Sequence, residues 1–174
     1  MTVSTIDDLA SEIAELRARV QVTEDTLAIF DLKAAYGELV DRRYRRGEVV
    51  DDGRLAVVAN EIAEMFAADG IWDGGPTLGR AIGRPAIRER MLQTTLVFSR
   101  HLFVKPRIRV EGDQAWGRWD ILCPCKTADG RSFWMCGYED DEYTRSGASW
   151  LHRSMTMTTV FFSSTEAGWD RIFS

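Results

Sequence analysis

Apolar residues recur every three or four positions at the start of the chain, which predicts an amphipathic helix there. The stripe consists of Ile6, Leu9, Ile13, Leu16 and Val20, an a/d-type pattern over two heptads. A helix this short is marginal when it stands alone. We therefore expect residues 1–22 to form an arm that packs on the body of the protein or on a neighbouring subunit.

Three more helices are predicted before residue 98. The first covers about residues 23–46 and ends at Gly47, a typical residue after a helix C-terminus. The second covers about residues 55–68. The third begins at Pro85, which is well placed at a first helical turn, and continues through residue 91. Between these last two, DGIWDGG is typical of a short strand that ends in a glycine turn.

From Arg100 onward the pattern changes to a period of two, which predicts strands. The strands cover residues 101–110, 115–125, 132–144 and 149–162. Asp129-Gly130 is a strong hairpin signal between the second and the third of them. Helices followed by an antiparallel sheet indicate an α+β fold, and a curved sheet wrapped by N-terminal helices forms a cone-shaped barrel. We expect residues 23–174 to form one such domain, with room for a small ligand.

Composition excludes several partners. The formal charge of −5 gives no electrostatic reason to expect nucleic acid. No apolar run approaches the roughly 18 residues of a membrane span, and the acidic start lacks the layout of a secretion signal. We therefore predict a cytoplasmic protein with neither a membrane nor a nucleic-acid partner. Cys123, Cys125 and Cys136 lack redox or zinc spacing and are interpreted as buried free thiols of a reducing compartment.

The sequence contains no GxGxxG after a strand, no P-loop, no GxSxG and no HExxH. Its two histidines lie far apart, and no carboxylate cluster has ligand spacing, so we expect neither a metal nor a cofactor. Acid–base chemistry by side chains remains. His101, at a strand start, is the first candidate because histidine titrates near pH 6.5. The alternative is a histidine with a structural role, or one that is simply exposed.

Asp41 is the second candidate, near the end of the predicted helix 23–46. The helix dipole disfavours an anion at that end, so its presence favours a reason beyond solubility. Salt bridges to the neighbouring arginines are the alternative. Tyr36 lies five residues earlier, about 140° around the helix, so the two side chains would flank a pocket. A core tyrosine is the alternative for Tyr36.

Other candidates come from the aromatic residues and from the strand 115–125. Alternation places Trp116, Arg118, Asp120 and Leu122 on one face of that strand and Trp119 on the other. A buried unpaired charge is costly, so Asp120 faces solvent or has a partner. The candidate walls of a ligand cup are Trp72, Phe98, Trp116 or Trp119, and Trp134. Ordinary core packing is the alternative for each of them.

Several segments together resemble the SnoaL-like branch of the nuclear transport factor 2-like superfamily, over roughly residues 24–163. They are AIFDLKAAYGELVDRR, RLAVVANEIAEMFAADGIWDGG, GRAIGRPAIRERM, HLFVKPRIRVEGDQAWGRWDILC and WLHRSMTMTTVFF. Their order and spacing carry the resemblance. Within the branch, the chain is most similar to the cofactor-independent lyases bile acid 7α-dehydratase and lindane dehydrochlorinase.

This resemblance implies roles for individual residues. Asp41 and His101 match the catalytic dyad of those lyases, and Tyr36 matches a tyrosine of the dehydratase. Asp120 and Arg153 match further polar residues of the active site. Trp72, Trp116 and Tyr44 are added as candidate substrate contacts, and His152 is a loose match to the second histidine of scytalone dehydratase-like enzymes.

The implied activity is that of a cofactor-independent lyase. It would remove water or another small fragment from a bulky hydroxylated aromatic or polycyclic compound, with His101 as base. The same residues could also catalyse a retro-aldol cleavage. A ketosteroid-isomerase-like isomerase or a polyketide cyclase is the first alternative, and a non-catalytic binding module is the second. The resemblance also implies a homo-oligomer, with a trimer ahead of a dimer.

Overall fold

The computed structural model describes residues 5–166, in which all four helices precede the four longest strands. The helices are α1 (Ile6–Asp41), α2 (Asp52–Glu64), α3 (Gly75–Leu78) and α4 (Arg84–Leu92). The strands are β1 (Tyr44–Arg45), β2 (Glu48–Val49), β3 (Phe66–Asp73), β4 (Arg80–Ile82), β5 (Leu96–Ser99), β6 (Leu102–Glu111), β7 (Gln114–Thr127), β8 (Ser132–Ser146) and β9 (Ser149–Ser164). Residues 1–4 of the predicted arm and residues 167–174 of the predicted domain lie outside the described residues.

The predicted arm and the predicted second helix are one continuous helix, α1, of 36 residues. The expected break near residue 22 was wrong because no glycine or proline interrupts the backbone there. Thr23 and Thr26 do not interrupt it either, since their hydroxyls donate to carbonyls one turn back in the same helix. The helix starts at a capping box in which Thr5 and Asp8 exchange hydrogen bonds.

The end of α1 lies at Asp41 and not near residue 46 as expected. The chain turns immediately afterwards, because Arg46 and Gly47 both take positive φ angles, 54° and 80°, in the turn between β1 and β2. The start of the next helix also differs from the prediction. Asp51 caps α2 by accepting from the backbone N–H of Arg54, so α2 starts three residues before the predicted position.

One seven-stranded sheet follows the order β4-β3-β9-β8-β7-β5, and β6 also pairs with β7. The four predicted long strands form antiparallel pairs, as expected. The sheet as a whole is mixed, because β3 lies parallel to β9. Strands β5 and β6 share β7 as a partner: β5 pairs with its last residues and β6 with its first nine. The two-residue link between β5 and β6, Arg100 and His101, therefore lies along the same edge of β7.

The inner face of the curled sheet packs against the second half of α1 and against α2 and α4. Residues Trp119, Ile121 and Cys123 of β7 are buried, whereas Arg118 and Asp120, which alternate with them, point outward. The predicted alternation of β7 is thus confirmed. The fold is α+β, a half-barrel of curved sheet wrapped by the N-terminal helices. Within the described residues, no helix combines the length and the apolar character needed to cross a membrane.

Candidate active site

A cavity of about 230 Å³ lies inside the half-barrel, between α1, α4 and the inner face of the sheet. Its walls are mostly apolar and include Val40, Trp72, Leu78, Met91, Ile121, Met155 and Met157. The polar side chains that reach it include Tyr36, Arg43, Tyr44, Ser99, His101 and Glu139. A few polar groups in an apolar enclosure are typical of a site for a small organic ligand.

His101 and Asp41 meet at the wall of this cavity. The Nδ1 atom of His101 lies 2.6 Å from Asp41 Oδ1, and the backbone N–H of His101 donates to Asp41 Oδ2 at 2.9 Å. The Ser99 hydroxyl donates to the same carboxylate. Because a carboxylate only accepts, Nδ1 carries a hydrogen and the second ring nitrogen remains for other chemistry. These donors also offset the unfavourable position of an anion at the end of α1.

A glycine allows this approach of strand and helix. Gly37 lies one turn before Asp41 on α1, and a Cβ atom there would come within 3.1 Å of the Phe103 ring and 3.6 Å of the His101 Cβ atom. The first contact is tighter than ordinary van der Waals distance. The missing side chain therefore lets the start of β6 lie directly on α1, which places His101 against Asp41.

The surroundings of His101 raise its pKa to about 9. Burial is the largest single contribution and opposes the charged imidazolium, but the interactions with Asp41 and with Cys123 together outweigh it. Cys123 stays a neutral thiol, because its contact with the Cys125 thiol and its burial raise its own pKa. At neutral pH, His101 is therefore mostly an imidazolium paired with the Asp41 carboxylate.

Tyr36 adds a neutral hydroxyl to the same cavity. It accepts a hydrogen bond from Trp72 Nε1 at 3.0 Å. Burial, and then the nearby Glu139 carboxylate, raise its pKa far above that of a free tyrosine, so the hydroxyl keeps its proton. Among residues 5–166 none accepts a hydrogen bond from that hydroxyl, which leaves its O–H for a ligand. Tyr44 also lines the cavity, with the Arg43 guanidinium 5.3 Å from its ring centre.

A buried ionic cluster behind the cavity was missed by the sequence reasoning. Lys33 of α1 is completely buried, and its ammonium contacts the carboxylates of Glu139 and Asp141, the latter at 2.7 Å. Tyr143 also donates to Asp141 at 2.7 Å. Two signals in the sequence indicate this cluster. Lys33 shares the buried helical stripe of Ile29 and Tyr36, and Glu139 and Asp141 alternate on one face of β8.

His152 lies in the core beside this cluster and does not line the cavity. Its ring stacks on Phe66 at 5.0 Å and lies 5.6 Å from the Tyr36 ring. Neither ring nitrogen has a hydrogen-bond partner among the described residues. Burial, and then the nearby Lys33 charge, hold the pKa of His152 well below its usual value, so the ring is neutral. The loose match of His152 to a second pocket histidine is therefore not supported by its position.

Three predicted substrate contacts lie outside the cavity. Asp120 pairs with Lys105 at 2.7 Å on the outer face of β7, because residues with even numbers point outward there. Trp116 lies on the same face, 4.5 Å below the Arg109 guanidinium. Arg153 points outward from β9 to Asp69, since its neighbour His152 points inward. These three assignments are corrected: the side chains do not reach the cavity that holds the dyad.

Of the expected aromatic walls, Trp72 lines the cavity. Trp119 packs in the core, where its Nε1 atom donates to the Tyr143 hydroxyl at 2.9 Å. Phe98 is 40% exposed, and neither it nor Trp134 belongs to the lining. Methionines take the place of these rings, because the middle of β9 presents Met155 and Met157 to the cavity.

Within residues 5–166, no three histidine, cysteine, aspartate or glutamate side chains are close enough together to ligate one metal ion. The three cysteines are free. Cys123 and Cys125 are buried with their sulfur atoms 3.5 Å apart, and Cys136 is half-buried. The chemistry that these residues can perform is proton transfer at His101, supported by Asp41 and by the Tyr36 hydroxyl.

A family model described as the SnoaL-like domain matches residues 21–156. Among solved structures, hexachlorocyclohexane dehydrochlorinase LinA type 3 from Novosphingobium barchaimii is 20% identical, with a TM-score of 0.65, and the match covers 90% of this chain and 95% of that chain. A scytalone dehydratase-like protein from Novosphingobium aromaticivorans is 18% identical, with a TM-score of 0.64 and coverage of 89% and 90%.

A third structure, a nuclear transport factor 2-like protein with a cystatin-like fold from Novosphingobium aromaticivorans, is 21% identical, with a TM-score of 0.64 and coverage of 99% of both chains. No sequence among the curated proteins matches the chain significantly. At these identities the solved structures establish a shared fold. The match to the family model extends over most of the half-barrel and includes Tyr36, Asp41 and His101.

Proposed function

The chain belongs to the SnoaL-like domain family of the nuclear transport factor 2-like superfamily, and from this premise we propose that it is a cofactor-independent lyase whose base is His101. The observation that carries the proposal is the dyad itself. A histidine that a buried carboxylate orients lies in the wall of an apolar cavity, beside a tyrosine hydroxyl with no acceptor of its own. The dehydrochlorinase and the dehydratase-like protein with this fold are consistent with elimination chemistry.

The proposed reaction begins when the neutral ring of His101 removes a proton from the substrate carbon beside a carbon that bears a leaving group. The electron pair of the C–H bond forms the new double bond, and the leaving oxygen departs with a hydrogen bond from Tyr36. The imidazolium then returns its proton to the departing hydroxide, which leaves as water. Asp41 stabilises the imidazolium during these steps. Such acid–base assistance accounts for roughly 10²–10⁴-fold in rate.

The cavity also restricts the substrate. Its volume of about 230 Å³ lies below the range of ~300–1,000 Å³ that is common for drug-sized ligands. The proposed substrate is therefore a hydroxylated compound of one or two rings rather than a larger polycycle. Its apolar ring would contact the methionines and Trp72. The protein would act in the cytoplasm, where three free thiols stay reduced.

An isomerase or a cyclase would start with the same proton abstraction, so the mass of the product separates the classes. We expect the metal-free protein, incubated with hydroxylated mono- and bicyclic compounds, lignin-type aromatic diols and hydroxysteroids, to give a product lighter by one water or by one small fragment. Mass spectrometry of the products checks this result. The matched control is the His101→Ala variant under the same conditions.

A new product of unchanged mass would replace the lyase proposal with the isomerase alternative. The wild-type protein could also give only those products that His101→Ala gives as well. That result would contradict enzymatic activity on hydroxylated rings. Selective turnover of hydroxysteroids would contradict the limit that the cavity volume sets.

A further inference from the structure

The Glu139 carboxylate is a polar group of the cavity that the proposed mechanism does not use. Glu139 lies on β8, is 5% exposed and forms part of the cavity wall. Its Oε2 atom contacts the Lys33 ammonium. Among the described residues none donates a hydrogen bond to the other oxygen, Oε1. A buried carboxylate thus presents an unused acceptor to a mostly apolar cavity.

Lys33 fixes this acceptor in place. Its ammonium is shared between Glu139 and Asp141 and lies 4.3 Å from the centre of the Phe103 ring. Because one ammonium faces two carboxylates, a negative charge remains uncompensated within the cluster. A hydroxyl of a ligand is well suited to such an acceptor, since a hydrogen bond to a charged group is about twice as strong as a neutral one.

We propose that Glu139 accepts a hydrogen bond from a second hydroxyl of the substrate, which makes the substrate a diol. One hydroxyl would lie at His101 and Tyr36 and the other at Glu139, with the ring against Met155 and Met157. This inference rests on the proposed function, because it takes the same cavity as the substrate site. It adds a specificity that the dyad alone does not provide.

Equilibrium binding of a matched set of probes tests the proposal without turnover. The probes are 1-naphthol and 2-naphthol with their 1,5-, 1,6-, 2,6- and 2,7-diol counterparts, measured by calorimetry on the full chain. At least one diol is expected to bind the wild-type protein about ten- to a hundredfold more tightly than the parent naphthol. The Glu139→Met variant should abolish that preference and leave naphthol binding within about twofold. Asp140→Asn, on the outer face of β8, is the control that should keep it.

Two outcomes would overturn the subsite. One is a wild-type protein that binds no diol more tightly than the naphthols, a result that needs no variant to fold. The other is a folded Glu139→Met variant that keeps the preference. If the lyase proposal alone were wrong, the protein would still bind diols through Glu139 but would convert none of them. That result is distinguishable from a failure of the subsite.

A second, independent observation concerns the outer side of α1. Its apolar stripe is 42% to 85% exposed over seven residues. These residues are Ile6, Leu9, Ile13, Leu16, Val20, Leu27 and Phe30. With Thr23 they fill every a and d position of four successive heptads. The stripe lies on the side of the helix nearly opposite to the residues that the body buries, Asp25, Ile29 and Lys33. Phe30, at the C-terminal end of the stripe, also packs edge-on against Trp119 of the body, with 5.1 Å between ring centres. A partner helix would therefore contact mainly the part of the stripe from Ile6 to Leu27.

The charged residues beside the apolar stripe favour a second copy of α1 as the partner, in a parallel orientation. In the heptad that starts at Ile6, Glu12 and Arg19 take g positions, and Arg17 and Glu24 take e positions. In a parallel pair of identical helices, a g residue faces the e residue five positions later on the partner. Glu12 would then face Arg17 of a second copy, and Arg19 would face its Glu24. Both contacts join opposite charges, and symmetry doubles each of them.

We infer that α1 pairs with α1 of a second copy of this chain as a parallel two-stranded coiled coil. Two strands are favoured because β-branched Ile6, Ile13 and Val20 take a positions, while Leu9 and Leu16 take d positions. This places the dimer ahead of the trimer that the family resemblance implies.

Sedimentation equilibrium of charge variants tests both the partner and the direction. The wild-type chain is expected to be a dimer, and either Glu12→Arg or Arg17→Glu alone should raise its dissociation constant by about tenfold, since each creates two like-charge contacts. The double variant should restore dimerisation to within about threefold of wild type. Glu15→Arg, at an outer position of the arm, is the matched control. The Leu9→Cys variant should form a disulfide between two copies on oxidation, as a parallel register requires.

A monomeric wild-type chain would overturn the interface, and a trimer would overturn the two-stranded assignment. A double variant that dissociates at least as readily as the single variants would overturn the parallel register.

Discussion

Replacing His101 with Ala, or Asp41 with Asn, is expected to lower turnover by about 10²–10⁴-fold while the fold stays intact. The first change removes the proton acceptor. The second keeps the shape of the Asp41 side chain but removes the charge that stabilises the imidazolium and fixes its tautomer. The measurement is kcat/KM for the substrate that the panel identifies, together with thermal unfolding of each variant.

Asp120→Asn is the matched control for the dyad. Asp120 is also a paired carboxylate, but its partner is Lys105 and both lie outside the cavity. Its turnover should stay close to that of the wild type, whereas near-normal turnover by either dyad variant would show that His101 is not the base.

The pH profile of kcat/KM separates a catalytic histidine from a merely structural one. Only the neutral ring can accept a proton, so kcat/KM should rise with pH and level off above about 9, the pKa of His101. Asp41→Asn should move this limb to lower pH, because the anion that stabilises the imidazolium is lost. A profile that is flat from neutral pH to above 9 would contradict the assignment of His101 as base.

Because the pKa of His101 is raised, an increase in pH is expected to raise activity and to lower stability. The pKa of His101 is about 9 in the folded chain and near 6.5 when unfolded, so the folded state binds the proton more strongly. The resulting stabilisation, on the order of 3 kcal/mol, is fully present below about pH 6.5 and is lost as the pH rises through 9. The dyad therefore stabilises the fold most in the protonation state in which His101 cannot act as a base.

Periodicity alone located the four long strands and the order of helices and sheet. Periodicity did not predict the features of the fold that no local sequence signal marks. Nothing in the composition near residue 22 distinguishes two helices from one, and the continuity of α1 follows from the absence of a breaker. The parallel pairing of β3 with β9 joins segments about 80 residues apart and depends on the closure of the whole sheet.

Asp41 and His101 could each be proposed as candidates because they lie at the ends of their elements, but their pairing as a dyad was implied by the family resemblance. Asp120 was misassigned because alternation identifies the residues that share a face but not the face that is inside. Glu139 was missed for the same reason. Lys33 was the available clue, since a lysine on the buried stripe of α1 requires a buried anion.

The Lys33→Met variant is expected to lose about 3–5 kcal/mol of unfolding free energy. Methionine fills a similar volume, so packing changes little, but Glu139 and Asp141 then remain as two buried carboxylates with no cation between them. Burial already raises the pKa of Asp141 to about 6 even with Lys33 present, which shows how strongly this site disfavours a second charge. Urea denaturation at neutral pH measures the loss.

Two comparisons identify the cause of that loss. Lys105→Met removes a lysine from an exposed ion pair and should leave the unfolding transition nearly unchanged, because solvent screens that pair. Adding Glu139→Gln and Asp141→Asn to Lys33→Met should recover much of the lost stability, since no unpaired charge is then buried. The loss in Lys33→Met should also shrink as the pH is lowered and Asp141, whose pKa burial raises, takes up a proton. A Lys33→Met variant that unfolds at the same urea concentration as the wild type would mean that Lys33 does not balance the charges in the core.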